Sequence, residues 1–112
     1  MTIKTNVAAN SVSILATDTI LLNSSADERK AISFASLHEL TGLSETVELF
    51  ISADSTSESG ERLDKVSFGP NNTKNPLSML LTVQGGSYLI GKATNGARVE
   101  CNISYTLYDG SD

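Results

Sequence analysis

A chain of 112 residues fits a single domain and can bury about two thirds of its unfolded surface without staples. Its formal net charge of -5, with no Lys/Arg cluster, argues against nucleic acid as a partner, because a phosphate backbone needs a basic patch to displace its counterions. Hydrophobic residues at 39% and charged residues at 19%, with Ser, Thr, Asn and Gly abundant, favour a polar-surfaced β domain over a helical bundle.

Residues 1–10 hold few apolar side chains and are expected to form an N-terminal arm or an edge segment. They lack the basic start and long apolar run of a signal peptide, and no segment reaches the length of a membrane span. Synthesis in a cytoplasm and no membrane partner are therefore expected. Residues 11–108 are expected to fold as one domain and 109–112 to form a polar tail. Ser11 to Ala16 reads as a strand, with Val12 and Ile14 alternating with Ser. Thr17-Asp18 interrupts it, and Thr19 to Asn23, with Ile20, Leu21 and Leu22 consecutive, reads as a buried strand. Arg29 to Leu37, carrying Ile32 and Phe34, reads as another. Ser36-Leu-His-Glu39 matches a helix-capping pattern, but so short a helix would need packing to survive, and a strand running into a loop is preferred.

Thr46 to Ser52 alternates Val47, Leu49 and Ile51 against Thr46, Glu48, Phe50 and Ser52. Phe50 then stands on the polar face, either covered by a neighbouring loop or part of a contact surface. Ala53 to Gly60, almost wholly Ser, Asp, Thr, Glu and Gly, is expected to be a mobile surface loop. Leu63 to Phe68 is a strand ended by Gly69-Pro70, and Asn71 to Pro76 is turn material. Leu77 to Val83 places Leu77, Met79, Leu81 and Val83 at period two, which predicts a central strand. Gln84-Gly-Gly-Ser87 is a tight connection.

Ala97 to Leu107 carries the cleanest alternation in the chain: Ala97, Val99, Cys101, Ile103, Tyr105 and Leu107 against polar neighbours. Such a segment has one dry and one wet face. Asn95-Gly96 before it suits a type I′ turn, which predicts a closing hairpin over 88–107. That register would set Ile90 opposite Cys101 and Tyr88 opposite Ile103, with Lys92 near the rim. The tally predicts an all-β fold, an antiparallel β-sandwich or jelly roll of about eight short strands.

The chain offers little raw material for chemistry. His38 is the only histidine, no nucleophile elbow exists, and it reads as a surface residue rather than a general base. A single cysteine excludes an intramolecular disulfide, and Cys101 reads as packing because no His or Lys near it in sequence would lower its pKa. Asp54 to Gly60 resembles the start of a calcium loop, but its glycine falls late and Lys65 stands where a bidentate glutamate is needed. We expect a non-enzyme with no cofactor and no metal. A ligand-binding or carbohydrate-binding sandwich is the alternative, for which Phe50, Tyr105 and Tyr108 are the aromatic candidates.

The order Asp18-Thr-Ile-Leu-Leu, Arg29-Lys-Ala-Ile-Ser-Phe, Glu45-Thr-Val-Glu-Leu-Phe-Ile, Leu77 to Val83, Gly85-Gly-Ser-Tyr-Leu-Ile and Ala97 to Tyr105 resembles small β-sandwich virion proteins of tailed bacteriophages. In those proteins a middle strand reads T-V-x-L-x-I and a glycine turn precedes a long alternating final hairpin. The resemblance covers residues 18–107. It implies a capsid decoration (cement) protein that binds and stabilises the virion shell, or a tail-associated component. It also implies other virion proteins as partners, the major capsid protein among them, with self-association and a location in the virion. The connection Gln84-Gly-Gly-Ser departs from the Pro-Gly-Asp form usual there. No functional residue carries over, so the expected protein contacts come from the polar segments and the odd aromatic: Ile3, Val7, Phe50, Asp54 and Glu58.

Overall fold

Pairing of the alternating segments produces two antiparallel sheets packed face to face, an all-β sandwich. The computed structural model describes residues 1–111. Asp112, the last residue of the expected tail, lies outside the described residues. The strands are β1 (Thr2–Ala8), β2 (Val12–Ile14), β3 (Thr19–Asn23), β4 (Glu28–Glu39), β5 (Glu45–Ser52), β6 (Glu61–Phe68), β7 (Thr73–Lys74), β8 (Thr82–Val83), β9 (Tyr88–Ala93) and β10 (Val99–Asp109). The first sheet is ordered β1-β10-β4-β7, with β2 also paired to β10 and β8 to β4. The second is ordered β3-β9-β5-β6.

The core lies between them. Val99, Cys101 and Ile103 of β10, with Ala35 and Leu37 of β4, face Val47 and Leu49 of β5, Leu89 of β9 and Val66 and Phe68 of β6. Each such side chain contributes about 1.5–3 kcal/mol on burial. Cys101 is one of these core hydrophobes, as its place on the dry face of its strand predicts.

The closing hairpin expected over 88–107 does not form. β9 lies between β3 and β5, so Ile90 stands opposite Ile20 and Phe50. β10 lies in the other sheet, where Cys101 stands opposite Leu37 and Val12. The turn itself shows why. Positive φ falls on Gly96 (84°) and Ala97 (58°), not on Asn95 and Gly96, so the expected type I′ turn centred on Asn95-Gly96 is absent. The segment is instead a corner between sheets. Ala93 N–H donates to Leu15 O and Ala97 N–H to Ile14 O, which holds the chain against the end of β2 as it crosses. Most other connections cross as well, among them β2–β3, β3–β4, β4–β5, β6–β7 and β8–β9, whereas β5 and β6 are joined as neighbours.

Leu77 to Val83 is not a central strand. Pro76 cannot donate to a ladder, and it opens a 3-10 turn over Leu77–Met79 in which Met79 N–H donates to Pro76 O and Leu80 N–H to Leu77 O. Met79 and Val83 are still buried, but Leu77 is 80% exposed. The first ten residues take the edge-segment form rather than the arm: Thr2–Ala8 pairs with β10, and the register slips between Lys4 and Val7, where Asn6 adopts φ 53°. The polar tail begins inside β10, and Gly110 N–H donates to Asp27 O.

A Cβ on Gly96 would lie 2.6 Å from the backbone nitrogen of Ala16, on top of the cost of positive φ. Gly96→Val should therefore lower unfolding stability by about 1–3 kcal/mol from backbone strain and more from the clash, read from urea titrations followed by circular dichroism.

Candidate functional site

The groups with chemical potential are scattered or committed to structure. His38 is half-buried on the outer face of the first sheet, where its Nδ1 hydrogen-bonds the Thr73 hydroxyl and Glu100 stands opposite it on β10. Glu100 accepts from Asn102 at 3.4 Å. Among the described residues no group of three or more His, Cys, Asp or Glu is placed to hold a metal. Burial pushes the Cys101 thiol up to about 12, far from a reactive thiolate. The acidic loop spends its oxygens on its own backbone, since Asp54 Oδ1 accepts from Thr56 N–H at 2.9 Å and from the Thr56 hydroxyl at 2.8 Å.

The residues expected to make protein contacts do not converge. Ile3 is exposed on the outer face of the first sheet, opposite Tyr108, and the Arg29 guanidinium lies 4.6 Å from the centre of that tyrosine ring. Val7 is half-buried and paired with Tyr105, which packs against the core. Phe50 is half-buried on the second sheet beside Ile90, and Asp54 and Glu58 are exposed in the β5–β6 loop. Phe50, Tyr105 and Tyr108 therefore share no face, and the aromatic platform needed for stacking a sugar is not assembled.

Two other apolar surfaces are assembled. The first is at the end of the sandwich where β2 and β4 finish and β10 begins. Glu39, the last residue of β4, points inward and is fully buried. Its carboxylate accepts from the amides of Thr41 (3.0 Å), Gly42 (2.8 Å), Leu43 (3.1 Å) and Asn71 (3.0 Å) and from the Thr41 hydroxyl. Burial alone pushes its pKa up, but these hydrogen bonds outweigh it and hold the group down to about 2. Glu45, buried at the start of β5, accepts from the amides of Thr46, Asn95 and Gly96 and from the Asn95 side chain. The β4–β5 loop pinned in this way displays Leu40 and Leu43, and Leu15, whose carbonyl accepts from Ala93 N–H and whose amide donates to the Thr19 hydroxyl, stands at the same end; each is about half exposed.

The second surface lies along one side. β8 covers β4 at Lys30–Ala31 and β7 covers it at Leu37–His38; between them Ile32 N–H donates to Leu81 O and Ala35 O accepts from the Asn75 side chain, with no strand alongside among the described residues. A cleft of about 260 Å³ opens there, lined chiefly by Phe34, Pro76, Leu77 and Leu80. Phe34 points outward because the β4–β10 register slips at Ser33, so that Ile32 and Phe34 fall on opposite faces. The sequence names Phe34 and Leu77 only as strand residues and marks none of these exposed side chains as a contact. Leu40-Thr-Gly-Leu43 did carry a signal, being apolar residues flanking a turn glycine, whereas the outward Phe34 had none.

No family model matches the chain, and no curated protein matches it. Among solved structures it is similar to a protein of Bacillus endospore appendages, described as a novel family of disulfide-linked pili. The identity is 17% over 98% of this chain and 90% of that chain, with a TM-score of 0.55. A crystal structure of PirA is similar at 8% identity over 91% of this chain and 95% of that chain, with a TM-score of 0.43. The appendage protein shares the β-sandwich fold.

Glu39 sets a pH dependence. Its folded pKa of about 2 lies below the ordinary 4.5, so the stability it contributes is present above about pH 4.5 and is lost as pH falls toward 2. The urea midpoint of the wild-type chain should drop across that window. Glu39→Gln should be less stable at neutral pH and show a shallower drop.

Proposed function

We propose that this chain is a non-enzymatic structural protein that assembles with copies of itself, using the leucine end of one copy against the side cleft of the next. The observation that carries this reading is the presence of two separate apolar surfaces on one small sandwich: Leu15, Leu40 and Leu43 at an end, and Phe34, Leu77 and Leu80 along a side. Exposed apolar groups gathered in this way mark contact sites. Contact between two different patches is heterologous, and its repetition gives a ring or a filament. The fold shared with a pilus-forming appendage protein supports the reading.

The bonds between copies are non-covalent, because the chain's single thiol is buried in its own core. The narrower reading, a decoration or tail-associated protein bound to the major capsid protein of a phage, is supported by the residue order described above. Its absence from purified particles would remove it.

Light scattering on the purified chain should show mass rising with concentration and unaffected by a reducing agent. Leu40→Ser with Leu43→Ser, and separately Leu77→Ser, should each suppress that rise while circular dichroism stays unchanged. A wild-type chain that remains monomeric at every soluble concentration would overturn the proposal.

A further inference from the structure

The register of the second sheet puts Ile20, Ile90 and Phe50 opposite one another across β3, β9 and β5. They lie on the outer face, because their neighbours Leu89 of β9 and Leu49 of β5 fill the core. Ile90 nevertheless has 0% exposure, although Ile20 beside it is 41% exposed, and an outward side chain on a bare sheet would not be sealed in this way.

The β5–β6 loop supplies the cover. Ser57 N–H donates to Asp18 Oδ2 at 2.9 Å. Asp18 immediately precedes β3, and the pairing of Thr19 with Gly91 sets it beside Lys92. β9 stands between β5 and β3 in the sheet, so a loop that leaves β5 at Ser52 must cross β9 to reach Asp18. The inner face is filled by core, and the crossing is therefore on the outside, over Ile90. The loop is shaped for this path. Asp54 Oδ1 accepts from Thr56, Gly60 N–H donates to Ser57 O, and a Cβ on Gly60 would lie 2.9 Å from Ile51 O, so the base of the loop sits tight on β5. Expected as a mobile loop, it is tied at both its base and its tip.

We propose that the β5–β6 loop is a strap, latched by Asp18 on the Ser57 amide, that seals Ile90 and narrows the apolar outer face of the second sheet available to other copies. Association is thereby biased toward the leucine end and the side cleft, and this part of the proposal rests on the self-assembly reading above. The latch holds although Asp18 Oδ1 is buried without a hydrogen-bond partner, because the hydrogen bonds from Ser57 outweigh burial and hold the carboxyl below its ordinary range.

The test opens the latch in the full chain with Asp18→Ala and, independently, Ser57→Pro, which removes the amide donor. Both variants should keep the wild-type circular dichroism. Amide exchange across residues 53–60 should speed up, binding of an apolar fluorescent dye should rise several-fold, and light scattering should show association beyond that of the wild type. Adding Ile20→Ser and Phe50→Ser to either variant should return the dye signal and the extra association to the wild-type level. Folded latch variants with wild-type exchange and dye binding would overturn the strap. Exchange and dye binding that rise while the wild-type chain stays monomeric would uphold the strap and reject the assembly reading instead.

Discussion

A sandwich whose strands change sheets at most connections turns loop amides toward its own interior, and those amides must find acceptors. Two inward carboxylates meet this constraint at the end where the crossings gather. Glu39 gathers the β4–β5 loop and Asn71 of the β6–β7 loop, while Glu45 gathers the β9–β10 corner. A buried carboxylate with no donors would be driven to its neutral form. Surrounded by donors, Glu39 stays ionised to about pH 2, and the loops in turn acquire fixed shapes. The shape in which that end presents Leu40 and Leu43 depends on this exchange.

The same arrangement explains why β9 and β10 part company. Crossed into opposite sheets, each is paired on both sides, and the dry faces of both strands meet in the core. Burial of Leu89, Val99, Cys101 and Ile103 against one another's sheets gains more than a single ladder would. Gly96 fits the corner because no side chain would clear the backbone at Ala16.

Period-two alternation located β2, β5 and β10 to within a few residues, a run of consecutive apolar residues located β3, and the Asn-Gly turn located β9 while misplacing its partner. Alternation could not see which strands pair, since an Asn-Gly turn looks the same whether it closes a hairpin or turns a corner. It missed β1, where Asn6 in a left-handed conformation breaks the pattern. It misread Leu77 to Val83, whose buried Met79 and Val83 mimic a strand while Pro76 enforces a turn. The contact residues were the least legible. Ile3 and Val7 fall on opposite faces of the first sheet, and the outward turn of Phe34 depends on one inserted residue, Ser33, that no local rule places.

What distinguishes this surface is the contrast between its two sheets. On the second, Ile90 is sealed and Ile20 alone of its facing trio remains on the exposed side, whereas the apolar groups at the end and along the side have no sealed member among them. In the assembly proposed above these groups meet between copies, and electron cryomicroscopy of the species that forms when the purified chain is concentrated would resolve that contact. A repeating contact that seats Leu40 and Leu43 of one copy against Phe34, Leu77 and Leu80 of the next is expected. A repeating contact that leaves both surfaces in solvent would contradict that assembly.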